Sequence, residues 1–208
     1  TSSPTYSFTA TDSLTAISSQ EIAITTAQTT DSQTSWTTLA ANATSGTVAG
    51  TYSTNTIYYT HLRLKDRLNN LTTVSGDGWA SHDPVVITPV TDLVKKTNSN
   101  SITITGTCWS GTTIQLTGDA TLSQACIASS FSFTFNKSID GVYTYSFVQS
   151  GYGSTSTEVD VQWIRDTVSP TMTTTMNDGI AATSTTSPIY SFAAADSGAG
   201  IDSVEVAV

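Results

Sequence analysis

Basic residues are scarce: 7 Lys and Arg stand against 16 Asp and Glu, a formal net charge of -9. Nucleic-acid binding works by releasing phosphate counterions with clustered Lys and Arg, and seven dispersed cations cannot supply that cluster. The only local density, His61 to Arg67, alternates along a predicted strand, which places Arg63, Lys65 and Arg67 on one solvated face. Long apolar runs are also missing. None approaches the ~20 residues of a membrane-spanning helix, so no membrane insertion is expected. There are two histidines, His61 and His82, and neither sits in a nucleophile motif, so no Ser–His–acid triad is expected. Sixteen acids could in principle supply the paired carboxylates of glycoside hydrolysis, but they are scattered at turns, where Asp usually serves backbone hydrogen bonds. An enzyme is therefore not expected. Cys108 and Cys126 lie eighteen residues apart. With both histidines remote in sequence a zinc site lacks ligands, and in a secreted acidic β-protein the pair reads as a disulfide. No secretory leader opens the chain, which starts within a pattern at Thr1-Ser2-Ser3-Pro4 and reads as an excerpt or mature fragment.

What is abundant is hydroxyl. Ser and Thr make up roughly a third of the 208 residues, a composition that suits β-strands with polar outer faces and does not suit helices. Disorder is the competing reading of so polar a chain. Against it, the four Trp, eight Tyr and six Phe sit within alternating apolar runs, which disordered segments lack.

The end of the chain repeats its beginning at a constant offset of 184 residues. Pro4, Tyr6, Ser7, Phe8, Ala10, Asp12, Ser13, Ile17, Ser19, Glu21 and Ala23 recur as Pro188, Tyr190, Ser191, Phe192, Ala194, Asp196, Ser197, Ile201, Ser203, Glu205 and Ala207. The repeat predicts an outgoing strand with Tyr6 and Phe8 inward, a turn at Asp12-Ser13 and a returning strand from Ile17 to Ile24. A second marker, Trp79 to Pro84, resembles Trp163 to Pro170: an aromatic last strand, an acid, then a proline that opens the next unit. Three units follow, at 1–83, 84–168 and 169–208. The first lacks its opening strand and the third lacks its latter half. The short junctions, without Gly or Ser runs, predict a semi-rigid string.

In the middle unit, period-two alternation predicts strands at 101–106, 112–117, 130–136, 141–149 and 156–164. Ile102, Ile104, Ile114, Leu116, Phe131, Phe133, Phe135, Tyr143, Tyr145, Phe147, Val159, Val161 and Trp163 fall on the inner faces. Asp140-Gly141 predicts a hairpin. Gly106-Thr107-Cys108, Gly111, Cys126, Phe131 to Thr134, Tyr143, Gln149 and Trp163 to Thr167 resemble the bacterial Ig-like repeats of very large surface, adhesin-type proteins. Tyr58-Tyr59, Leu62, Leu64, Asp66, Asn69 and Asp77-Gly78-Trp79 are similar to related fibronectin-III-like or Ig-like repeats. The resemblance implies tandem immunoglobulin-like β-sandwich domains, secretion to the bacterial cell surface, a Cys108–Cys126 bridge and service in a stalk or adhesin. It implies no catalytic residues. Its expected partners are neighbouring repeats of the same long chain, other copies in a fibre, and a host-cell or glycan ligand at a distal tip.

Two features remain open to a second reading. Asp12, Asp77, Asp83, Asp166, Asp196 and Asp202 lie at turns and junctions where calcium ligands could gather, or where they simply form turns; no cofactor is otherwise expected. Trp36, Trp79, Trp109 and Trp163 could build a sugar platform or pack in cores and junctions. The leading function is a spacer that projects a binding region from the cell. The alternatives are a filament subunit joined by strand complementation and a glycan-binding module of a secreted enzyme.

Overall fold

A computed structural model describes residues 4–88, 93–176 and 190–205. Among them the chain is all-β, with several antiparallel sheets and no helix. The repeat positions Pro188 and Ala207 lie outside the described residues.

Residues 5–79 supply β1 (Thr5–Ser7), β2 (Ile17–Thr25), β3 (Thr37–Thr38), β4 (Ser45–Thr47), β5 (Tyr58–Asp66) and β6 (Leu71–Trp79). β1 and β4 form a two-stranded ribbon, and the other four make an antiparallel sheet in the order β3-β2-β5-β6. The Asp12 turn is present, with its carboxylate accepting from the amides of Leu14 (2.8 Å) and Thr15 (3.0 Å). It does not fold β2 back onto β1, because the two strands belong to different sheets. Local turn chemistry reverses the chain, but which layer the next strand joins is decided by packing.

Residues 86–165 supply β7 (Val86–Thr88), β8 (Val94–Thr97), β9 (Ser101–Thr107), β10 (Thr113–Gly118), β11 (Leu122–Ala125), β12 (Ser130–Asn136), β13 (Gly141–Gly151), β14 (Ser154–Thr155) and β15 (Val159–Arg165). One sheet runs β12-β9-β7; the other runs β11-β10-β13-β15-β8, with β14 on β13. Inner residues of both sheets meet in one core that includes Ile104, Ile114, Leu116, Phe131, Phe133, Phe147, Val161 and Trp163. Two layers facing one core are the arrangement of a β-sandwich. β12 alternates exposed and buried positions along its whole length, as its Ser-Phe-Ser-Phe-Thr-Phe-Asn sequence predicts. The Asp140-Gly141 expectation fails: β12 and β13 lie in different sheets, so this turn crosses between layers and forms no hairpin.

The order of parts recurs. Ribbon β1–β4 and sheet β3-β2-β5-β6 correspond in sequence order to β9–β12 and β11-β10-β13-β15, and the later segment adds β7 beside β9 and β8 beside β15. The last described strands, β16 (Thr171–Met176) and β17 (Tyr190–Ala195), pair antiparallel. The turn after β17 shares the first Asp12 contact and shifts the second, with Asp196 accepting from the amides of Gly198 (2.9 Å) and Gly200 (3.1 Å) while the Ala199 amide goes to Asp166. Ala16 and Gly200, related by the 184-residue offset, both take left-handed backbone, at φ 63° and 80°. Every strand pairing among the described residues stays within 5–79, 86–165 or 171–195.

Candidate functional site

The chemistry-bearing side chains gather in three places. The first surrounds His61, which is fully buried on β5. Its Nδ1 lies 2.7 Å from the Ser75 hydroxyl on the neighbouring strand β6. Its Nε2 lies 2.9 Å from the Thr25 hydroxyl and 3.1 Å from the Ala27 carbonyl. A hydroxyl and a carbonyl, with no carboxylate, face the second nitrogen, so the set lacks the acid that orients and charges a catalytic imidazole. Beside it, Arg63 departs from the solvated face expected of it. Its Nε donates to Glu21 at 2.8 Å, and its guanidinium lies 4.3 Å from the centre of the Trp36 ring. Stacking and a partly buried ion pair explain why Trp36 and Arg63 are both half-buried.

The second place is an open groove of about 430 Å³ between the β1–β4 ribbon and the four-stranded sheet. Tyr6 and Phe8 line one wall, and Leu62, Leu64, Val74 and Trp79 line the other. Trp79 also packs against Tyr52 and Tyr58, each 5.2 Å away between ring centres.

The third place is the pair of junctions. Residues 80–83 are held against the end of β13 and its turn into β14: the Ala80 amide donates to the Tyr152 carbonyl at 3.2 Å, and Gln149 donates to the Asp83 carbonyl. His82 Nε2 lies 2.8 Å from the Gly151 carbonyl, and its ring packs 5.1 Å from that of Trp109. Trp109 in turn packs 5.4 Å from Tyr152. Beyond β15, buried Arg165 is clamped by Asp140 and Asn100. The Thr167 amide and hydroxyl hold the Asp140 carboxyl below its ordinary range, with Arg165 adding to the effect. Asp166 is lowered first by the Ala199 amide at 2.6 Å and then by the Val168 amide at 3.0 Å. Lys96 Nζ donates to the Ala199 carbonyl at 2.7 Å, so the Asp196 turn rests on residues from both ends of the preceding segment.

Four of the six Asp residues singled out in the sequence, Asp12, Asp83, Asp166 and Asp196, spend oxygens on turns and neighbours; Asp83 accepts from Thr54 and Asn55, both at 2.9 Å, while Asp77 lines the groove beside Trp79. Among the described residues no group of three or more His, Cys, Asp or Glu side chains is placed to hold a metal ion. The tryptophans are engaged individually. Trp163 is in the core, Trp79 in the Tyr cluster, Trp109 at the junction and Trp36 under Arg63. Cys108 and Cys126 form a disulfide. Among the described residues no helix is long and apolar enough to cross a membrane. No family model matches the chain, and no curated protein matches it in sequence.

Proposed function

We propose that the chain is a run of immunoglobulin-like stalk repeats from a large secreted bacterial surface adhesin or fibre, with units at 1–83, 84–168 and 169–208. It spaces a binding region away from the cell and carries out no catalysis. The observation that carries this reading is the junction at 80–83, where backbone and side-chain hydrogen bonds and the His82–Trp109–Tyr152 stack fasten one sheet set to the next. Flexible tethers make no such contacts. The disulfide supports an oxidising, extracellular setting.

Small-angle X-ray scattering tests the reading. A compact globule of this length has a radius of gyration of about 17 Å. Two bodies of about 12 Å each, with centres about 40 Å apart, give about 23 Å. The spacer reading expects the larger value and is overturned by the smaller.

A further inference from the structure

The loop between β9 and β10, residues 108–112, is anchored on one side and presented to the 80–83 junction on the other. Its anchors are the Cys108–Cys126 disulfide and two backbone hydrogen bonds, from the Gly111 amide to the Cys126 carbonyl (3.3 Å) and from the Cys126 amide to the Thr112 carbonyl (2.8 Å). On the junction side, the Trp109 amide (2.8 Å) and the Thr112 hydroxyl (3.2 Å) both donate to Gln149 Oε1. The nitrogen of the same side-chain amide, Nε2, donates to the Asp83 carbonyl. Gln149 is 1% exposed, so water does not stand ready to replace either partner. One side-chain amide thus joins the disulfide-held loop to the chain that leaves the first segment.

Ring contacts run along the same line. Trp109, the residue after Cys108, packs between His82 of the junction and Tyr152 of the β13–β14 turn. Tyr152 holds left-handed backbone, φ 47°, which a bulky residue keeps only where its surroundings impose it. The Ala80 amide on its carbonyl and the Trp109 ring beside its own are those surroundings. We infer that the disulfide is a redox-sensitive strut for this joint. Oxidised, it holds the 108–112 loop where Gln149 and Trp109 fix residues 80–83; reduced, it frees the loop and lets the first two segments swing. The reductant is a dithiol. One of its thiolates attacks the sulfur of Cys108, the less buried cysteine, and Cys126 leaves as a thiolate that takes up a proton. The second thiol of the reductant then closes its own disulfide and releases Cys108, so two electrons and two protons pass to the protein. The inference rests on the junction that carries the spacer reading, and makes its stiffness depend on a bond outside it.

Fluorescence energy transfer in the full chain tests the coupling, with dyes on Thr73→Cys in β6 and Thr134→Cys in β12, both exposed positions. The dyes are attached to the oxidised protein as maleimide thioethers, which survive dithiothreitol. Reduction is expected to widen the distribution of distances between the dyes about twofold, while Trp163 fluorescence shows that the 86–165 segment stays folded. Val161→Ala weakens the same core and leaves the disulfide in place, so it should keep the narrow distribution. A reduced, folded chain of unchanged width overturns the inference. Equal widening by Val161→Ala overturns it too, because lost stability alone then accounts for the effect. If reduction unfolds the segment, Gln149→Met decides with the disulfide intact: widening upholds the coupling and an unchanged width overturns it. Scattering from the oxidised chain reads overall shape independently, so a compact globule removes the spacer reading whatever the dyes report.

Discussion

Ala16 holds left-handed backbone that its repeat partner fills with Gly200. For a residue with a Cβ this conformation costs roughly 1–2 kcal/mol, part of which glycine returns through its freer unfolded state. Ala16→Gly is therefore expected to stabilise the first segment by about 0.5–1 kcal/mol, read as a rise of a few degrees in its melting midpoint. Tyr145 presents a different strain. It is fully buried, its hydroxyl finds no hydrogen-bond partner among the described residues, and burial, with Asp119 and Tyr143 nearby, pushes its pKa up to about 12. The folded state keeps its proton longer than the unfolded state does, so this contribution is intact below pH 10 and is lost as pH rises through about 12. That loss amounts to roughly 3 kcal/mol. Denaturant titrations at pH 9 and pH 12 should show the fall, and Tyr145→Phe should reduce it while costing little stability at pH 7. His61 was the residue least legible in the sequence. Its position between Thr60 and Leu62, off the Leu62–Leu64 face, marks it as facing the other way; the Thr25, Ala27 and Ser75 partners that satisfy it come from other parts of the chain.

At the scale of elements, the central strands could be read from alternation because each has one fully buried face. Ser130–Asn136 matches its predicted bounds, and Phe131, Phe133 and Phe135 all reach the core. β7 and β8 leave no pattern in the sequence: they are three and four residues long and serve opposite sheets, so neither presents enough alternation to register. The turns at Asp12 and Asp140 were visible as turns, yet the crossing between layers left no local mark. The disulfide is an element-scale constraint. It ties the residue after β9 to the residue after β11, closing an 18-residue separation. Reduction should cost about 3 kcal/mol by the loop-entropy account. Urea unfolding followed through buried Trp163, with and without reductant, checks it. An unchanged midpoint would place the stability of this segment in its aromatic core alone.

For the molecule as a whole, the junctions matter more than any single core. Trp109 packs against both His82 and Tyr152, so Trp109→Ala removes the stack while leaving the hydrogen bonds at Ala80 and Gln149. The expected result is a broader distribution of end-to-end distances between spin labels on the first and second segments, with the melting of the 86–165 segment lowered by no more than about 1 kcal/mol. The acid-side behaviour belongs to this scale too. Asp140 and Asp166, both lowered by junction hydrogen bonds, support the folded contacts above their ordinary value of 3.8, and that support fades as pH falls below it.

The parallel pairing of β8 with β15 has a mechanical corollary. The two strands run side by side in the same direction over four registered pairs, Val94–Gln162 to Thr97–Arg165, so chain entering at β8 and chain leaving at β15 depart from opposite ends. Tension along the polypeptide therefore loads these bonds in shear, all at once, and does not peel them singly like a zipper.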